Sequence, residues 1–341
     1  MLKKTFLKYL AAILMLLIFM QNSLAMEISH DLIDYNLVQK YINLFADNTK
    51  LTLRNLGDKE AIALAEALKN NNSLIRLDLA QNKISCLGMS ALAAALKGKN
   101  SLRNLHIFSN LVEVEGIKAL AELLAEGNLQ ELYIGNNNIG CEGASILAKV
   151  LAKNNSLRIL DLRCSQIKYI GAKALSIALR SNNCLQELVF QRNTLGDMGA
   201  KDFAEALLDN AALCKADFSY GEIGNSGSFE LAKLLRSNKG INTLDLTGNL
   251  FGNGGASLLA EALIENNIVQ VFYLSYNKIT NEIVKKTIER CLRVNMKIAS
   301  AIKLWSKFYI VVVGLNDCAS VVHCLPLELV RKILEAGISS L

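Results

Sequence analysis

The stretch that decides the fold is residues 74–84, LIRLDLAQNKI. Leu77 and Leu79 alternate with polar residues, which is the period of a short β-strand that buries one face. Asn82 follows three residues later, where the chain has to turn and its backbone groups become buried. An Asn side chain both donates and accepts hydrogen bonds, so it can satisfy that backbone where a Leu could not.

The same pattern returns about every 28 residues along the chain. A second clear copy is residues 129–139, LQELYIGNNNI, and Ser165 and Gly221 occupy two register positions that have no asparagine. The asparagines in register form a predicted ladder: Asn82, Asn110, Asn137, Asn193, Asn249 and Asn277. Stacked copies of this turn predict one continuous structure, built from repeats.

The second half of each repeat has the pattern of a helix. Leucines fall at i, i+4, and alanines fill the positions between them, as in residues 63–68, ALAEAL. Such small residues favour close packing of the helix on the strand layer. A glycine recurs four residues after the ladder isoleucine, as at Gly88 and Gly171. We expect this glycine to permit the tight turn from the loop into the helix.

A unit of Leu-x-x-Leu-x-Leu-x-x-Asn-x-Ile followed by a helix resembles the leucine-rich repeat of the ribonuclease-inhibitor class. The resemblance covers residues 51–295, as about eight full units after a degenerate first one. It implies an α/β solenoid, a horseshoe with parallel strands on the concave face and helices on the convex face. Residues 26–50 are expected to add an N-terminal capping helix and residues 296–341 a C-terminal helical tail. The resemblance also implies a protein-binding scaffold.

Residues 1–25 look like a secretory signal peptide. Lys3, Lys4 and Lys8 provide a positive start, residues 10–20 a short apolar core, and residues 23–25 a cleavage site of small residues. An uncleaved N-terminal anchor, which would be the chain's one membrane contact, and translation from Met26 stay open. Cleavage would lower the formal net charge from +6 to +3, because it removes three lysines and no acidic residue. That charge does not predict nucleic-acid binding.

The eight cysteines all follow residue 25, and none has metal-ligand or Cys-x-x-Cys spacing. We interpret them as small buried apolar residues. Free thiols conflict with an oxidising destination, and a host-directed effector that ends in a reducing cytosol would reconcile the two observations. Cys318 and Cys324 are the pair that best suits a disulfide. The sequence predicts no metal, no cofactor and no enzyme, although Ran GTPase activators resemble this repeat class and remain an alternative.

The strand positions between the inward leucines are expected to face a protein partner on the concave surface. Asp78, Asp161, Asp217 and Asp245 share one repeat position and are interpreted as scaffold. Other side chains break the repetition and are of types enriched at protein interfaces. The predicted partner-binding residues are His106, Phe108, Tyr133, Arg163, Arg192, Tyr220, Tyr273 and Tyr276.

Residues 325–334, LPLELVRKIL, resemble the core of the F-box. F-box proteins use this motif to dock the adaptor of cullin-RING ubiquitin ligases, while their repeats hold a target. The resemblance implies adaptor contacts by Leu325, Pro326, Leu329, Ile333 and Leu334. An ordinary helix start that docks on the tail is the favoured alternative here, since proline favours the first helical position and an acidic residue the first turn.

Overall fold

The computed structural model describes residues 34–45, 48–99 and 101–313. In these ranges, three-residue strands alternate with helices. The strands are β1 Lys50–Thr52, β2 Arg76–Asp78, β3 Asn104–His106, β4 Glu131–Tyr133, β5 Ile159–Asp161, β6 Glu187–Val189, β7 Lys215–Asp217, β8 Thr243–Asp245 and β9 Val271–Tyr273. The helices are α1 Tyr35–Phe45, α2 Asp58–Leu68, α3 Cys86–Leu96, α4 Val114–Glu126, α5 Gly140–Leu151, α6 Tyr169–Ser181, α7 Gly196–Leu207, α8 Asn225–Ser237, α9 Asn253–Glu265 and α10 Glu282–Val313.

The nine strands form one parallel sheet in chain order. Each strand pairs with the next unit in the same register, so that Leu77 lies beside Leu105 and Leu105 beside Leu132. The middle residue of each strand is buried toward the helices, and its two neighbours lie on the opposite surface, which we call the open face of the sheet. This architecture confirms the predicted α/β leucine-rich repeat solenoid, whose concave surface is the open face.

The predicted asparagine ladder is present and joins each unit to the one before it. Asn82 donates through Nδ2 to the carbonyls of Leu53 and Leu79, at 3.0 and 2.8 Å, and its Oδ1 accepts the N–H of Leu56 at 2.9 Å. Asn193 extends the pattern across Ser165, because its Oδ1 accepts two N–H groups of the preceding unit. One side chain therefore satisfies several buried backbone groups on both sides of the stack.

A second asparagine ladder lies at the carboxyl ends of the helices. Asn182 caps α6, and its Nδ2 donates to the carbonyls of Leu151 and Asn154 in the previous unit, at 2.7 and 2.9 Å. Its Oδ1 accepts the N–H groups that lead into the next strand. The buried members at helix ends are Asn154, Asn182, Asn210, Asn238 and Asn266. Asn295, inside α10, continues the ladder by donating to the carbonyls of Asn266 and Val269.

The recurring helix glycines make room where the loop enters the helix, because a Cβ added to Gly171 would lie 2.7 Å from Cγ2 of Ile167, the ladder isoleucine. Gly88 and Gly171 lie inside α3 and α6 and are not among the residues with positive φ. A Cβ added to Gly171 would lie 3.0 Å from the Cβ of Ala144 and 3.1 Å from the Cα of Cys141 on the preceding helix. The position is glycine because neighbouring helices approach too closely for any side chain.

Helices at the two ends of the repeats close the described part of the chain. Helix α1 buries Val38 and Tyr41 against α2, in the region expected to form a cap. Helix α10 runs 32 residues, from Glu282 to Val313, and passes straight through the boundary expected between 295 and 296. No helix within the described ranges is both long enough and apolar enough to span a membrane.

The cysteines are less buried than the sequence suggested. Within the described ranges six cysteines are free thiols, and each is partly exposed. Cys86 and Cys141 lie at the amino ends of α3 and α5, where their sulfur atoms contact backbone groups of the next unit. Cys318 and Cys324 lie outside the described residues.

Two adjacent glycines on α9 test the packing role. A Cβ on Gly255 would lie 3.0 Å from the Cβ of Phe251 and from Oδ1 of Asn225, whereas nothing lies within 4 Å of a Cβ on Gly254. Gly255→Ala is expected to lower the free energy of unfolding by about 1–3 kcal/mol through overpacking. Gly254→Ala is expected to raise it by up to about 1 kcal/mol, because alanine favours helix. Urea denaturation measures both, and the same sign for the two would contradict this assignment.

Replacing one ladder asparagine should cost far more than replacing an exposed neighbour. Asn193→Ala leaves the N–H groups of Ser165 and Ile167 and the carbonyl of Leu162 without their buried partner. We expect the free energy of unfolding to fall by about 2–4 kcal/mol. The control Asn138→Ala alters an exposed side chain and should stay within about 0.5 kcal/mol of the parent protein. Equal losses for the two variants would refute the structural role of the ladder.

Candidate functional site

The predicted partner-binding residues fall into three rows across the open face and its rim. His106, Tyr133 and Tyr273 are the last residues of β3, β4 and β9. Phe108 and Arg163 follow two residues after their strands. The third row, directly before the ladder position of each unit, contains Arg192, Tyr220 and Tyr276. Since neighbouring strands lie about 4.8 Å apart, side chains in one row can touch those of the next unit.

His106 and Tyr133 form a stacked pair on the open face. Their register places them side by side, and their ring centroids lie 4.1 Å apart with 25° between the planes. The hydroxyl of Tyr133 donates to Oε2 of Glu131 at 3.3 Å. Burial, with the negative charge of Glu131, raises the pKa of Tyr133 to about 12. The phenol therefore stays neutral and presents a ring of fixed orientation.

Arg163 is anchored beside this pair. Its Nε lies 3.0 and 2.8 Å from the two carboxylate oxygens of Asp161, and its Nη2 lies 2.7 Å from Oδ2. The guanidinium lies 5.9 Å from the ring centroid of Phe108, within the range of a cation–π contact. A Cβ on Gly135 would lie 2.8 Å from Cγ of Arg163, so this glycine makes the room in which Arg163 reaches Phe108.

Asp161 gives Arg163 a structural role besides any role in recognition. Asp161 is 2% exposed, and its hydrogen bond with the guanidinium raises the pKa of Arg163. Removal of Arg163 would leave a buried carboxylate without its ion pair, which costs stability. Arg163 is therefore a poor choice for testing binding alone.

Arg192 and Tyr220 form a second pair on the rim. The guanidinium lies 4.8 Å from the centroid of the Tyr220 ring, close enough for a cation–π contact. Tyr220 lies against Gly248, the next residue in the same row, whose position would not admit a Cβ beside that ring. Neither Gly135 nor Gly248 was singled out from the sequence. The sequence signal that could have identified them is a glycine at a row position whose counterparts in the two neighbouring units are large side chains.

The rim row has an unusual backbone. Arg192, Tyr220 and Tyr276 have φ values of 55°, 53° and 59°, in the left-handed region that favours Gly and Asn. Gln81 and Asn136 hold the same position in earlier units. A large side chain there costs of order 1 kcal/mol against glycine. The repeat requires this backbone conformation but does not require arginine or tyrosine in it.

The aspartates in the last strand position are scaffold residues, as predicted. Oδ1 of Asp78 accepts the N–H of Ala80 at 3.1 Å, and Oδ1 of Asp217 accepts the N–H of Ser219 at 2.9 Å. Asp245 makes the same contact with the residue two positions later. These carboxylates fix the turn that leads from each strand to the rim row.

The structure brings the predicted residues together only in part. His106 with Tyr133, Phe108 with Arg163, and Arg192 with Tyr220 are in contact. Tyr273 and Tyr276 lie in the last unit, where they are 52% and 82% exposed. The predicted adaptor-binding residues of the tail lie outside the described residues.

A match to a family model agrees with this geometry. The family model described as "Leucine Rich repeat" matches residues 70–93, 128–148, 153–176 and 181–204. The chain therefore contains leucine-rich repeats, and proteins built from such repeats are generally protein-binding scaffolds. A search of curated protein sequences finds no match. A solved structure, "Leiomodin-1 Actin-Binding Site 2 (ABS2)", is similar at 17% identity and a TM-score of 0.38, covering 57% of this chain and 93% of that one.

His106 should make stability depend on pH. Burial, with the positive charge of Arg76, lowers the pKa of its imidazole below 6.5, although Asp78, Glu131 and Asp161 oppose that shift. The unfolded chain then binds a proton that the folded chain resists, so this contribution is present above pH 6.5 and is lost as pH falls through the folded pKa. Between about pH 7.5 and 5.5, the urea midpoint should fall less for His106→Phe than for the parent protein. Parallel pH profiles would contradict this prediction.

Proposed function

We propose that this chain is an exported protein-binding scaffold that holds a protein partner on the open face and its rim. The observation that carries the proposal is the rim row, where Arg192, Tyr220 and Tyr276 occupy a strained backbone position that the fold does not need them to fill. Strain that persists without a folding reason is typical of functional positions. Tyrosine and arginine are also the side chains that most often dominate protein interfaces.

The chemistry of this surface favours a protein over a small ligand. The stacked His106–Tyr133 pair and the Arg192–Tyr220 pair provide flat apolar surfaces with polar edges, and the ion pair of Glu187 with Lys215 adds charge at the start of β6 and β7. Rigid aromatic groups lose little conformational freedom on binding. A partner with acidic or carbonyl groups beside apolar side chains would complement such a surface.

We further propose that the chain is exported and acts as a host-directed effector. Residues 1–25 support export, and the six free thiols within the described ranges suit a reducing final compartment. Mass spectrometry of protein recovered outside the producing cell should find an amino terminus at Met26 and alkylatable thiols. Recovery inside the producing cell alone would refute export.

A rim variant tests binding without disturbing the fold. In Arg192→Glu with Tyr220→Ala and Tyr276→Ala, each changed side chain is exposed. Loss of hot-spot side chains should weaken partner affinity at least about tenfold. Parent and variant chains, each spanning residues 26–341, are compared for capture from eukaryotic lysate by quantitative mass spectrometry.

The matched control changes the same residue types on the helix side. Arg180→Glu with Phe229→Ala alters exposed side chains of α6 and α8. The control should retain the partners that the rim variant loses, with both variants melting near the parent temperature. Unchanged capture by the rim variant would refute binding on this surface.

A ubiquitin-ligase adaptor function is the second candidate, and the observation that favours it is the sequence of residues 325–334. Leu325, Pro326 and Leu329 would contact the adaptor while the repeats hold a target. Purified adaptor should bind the parent chain, and the change of these three residues to Ala should abolish binding while leaving the rim-dependent partners in place. Equal binding of adaptor by both chains would exclude the F-box resemblance as a function. No observation among the described residues favours GTPase activation.

A further inference from the structure

A groove of about 490 Å³ opens at the C-terminal end of the sheet, where one more repeat would stack. It lies between the turn after β9 and the first half of α10. Six of the lining residues are apolar, and they are Phe272, Leu274, Tyr276, Ile279, Ile288 and Leu292. The polar rim includes Lys285 and Glu289. We call this site the terminal groove.

The terminal groove exists because the last unit has no following neighbour. Leu246 and Phe251 are 0% exposed in the preceding unit, where the next repeat covers them. Their counterparts Leu274 and Ile279 are only partly buried. Uncovered leucine and isoleucine side chains at this end are the apolar surface that a solenoid has to cap.

Helix α10 covers only part of this end. The first nine helices have 11 to 13 residues, and α10 has 32. Up to residue 303, where the description of its side chains ends, Ile298 is the last buried apolar residue of α10, at 8% exposed. From Leu292 to Val313 the helix axis advances by about 32 Å. The helix end at Val313 therefore lies well away from the terminal groove.

The following segment is long enough to return. Eleven residues, 314–324, separate the helix end from Leu325, and an extended chain of that length spans about 36 Å. A linker of this length would let residues 325–334 reach the groove beside Leu292 with little slack. A linker only a few residues shorter would be too short.

We propose that residues 325–334 fold back along α10 and occupy the terminal groove. Leu329, Val330, Ile333 and Leu334 follow the i, i+3, i+4 spacing that places apolar side chains on one helical face. This apolar face complements the uncovered apolar side chains that line the terminal groove. The segment caps the repeats in place of a further unit.

The charges at the rim agree with this occupant. The polar positions of the segment carry one acidic residue, Glu328, and two basic residues, Arg331 and Lys332. The groove rim likewise offers one cation, Lys285, and one anion, Glu289. Pairs of opposite charge at the rim would fix the position of the segment along the groove. Burial of apolar side chains would provide the main driving force.

Docking in the groove would bury Leu329, Ile333 and Leu334, which an adaptor would also need. An adaptor would therefore have to displace the segment before it could bind. The proposal does not depend on what binds the open face, since Arg192 and Tyr220 lie outside the groove and only Tyr276 belongs to both the rim row and the groove lining.

Hydrogen exchange on the full chain tests the proposal. Leu329→Asp with Ile333→Asp should release the segment, and the amides of residues 274–279 should then exchange about tenfold faster than in the parent protein. The control Lys332→Ala, on the polar face, should leave their exchange unchanged. The two aspartates lie outside the repeats, and circular dichroism with thermal melting verifies that the repeats stay folded.

A reciprocal variant in the groove makes the test symmetric. Leu292→Glu alters a partly buried side chain of α10 and should speed exchange of the amides of residues 327–334. Unchanged exchange in both variants would overturn the proposal. Protection of residues 274–279 that disappears on dilution would instead assign the groove to a second copy, and protection that requires added adaptor would assign it to that protein. Either result also overturns intramolecular docking.

Discussion

Hydrogen bonds from asparagine amides to buried backbone are the interaction on which this structure depends. Each unit turns twice in the interior of the stack, and its N–H and C=O groups there are shielded from water. An unpaired buried group costs about 1–3 kcal/mol, so several of them in every unit would exceed the stability of an ordinary domain. Asn193 and Asn182, one at each turn, each satisfy such groups in two successive units. The leucine core can form only because these turns are satisfied.

The regular scaffold leaves the open face and rim free to vary. The strand leucines, the two ladders and the aspartates that hold the turns recur because each answers a backbone or packing requirement. Arg192 and Tyr220 answer neither, and they contact each other on the rim. The molecule therefore separates the residues that make the repeat from those that give this chain its own surface. Binding specificity is expected in the second group.

Much of the fold could be predicted from the sequence, since the spacing of Asn82 and its successors encodes both the strand and the turn. The second ladder could not be recognised as easily, because Asn182 within a polar turn suits solvent as well as a buried bond. Glycine supplies either positive φ or the absence of a Cβ, and sequence alone does not separate the two; at the recurring helix glycines the absence of a Cβ is what matters. The candidate site residues could be chosen from the sequence by residue type. Which of them contact each other could not, because that depends on turn geometry and on the space left by Gly135. The continuation of α10 past the expected boundary at residue 295 does have a signal in the sequence, because no Gly or Pro occurs between residues 282 and 313.

The first ladder also has a direction. The amide of Asn82 completes the turn of the unit before it, and the amides of Asn110 and Asn249 do the same for theirs. A unit that emerges from the ribosome is thus unfinished until the asparagine of the following unit arrives. Ordered structure would therefore advance one repeat behind the emerging chain.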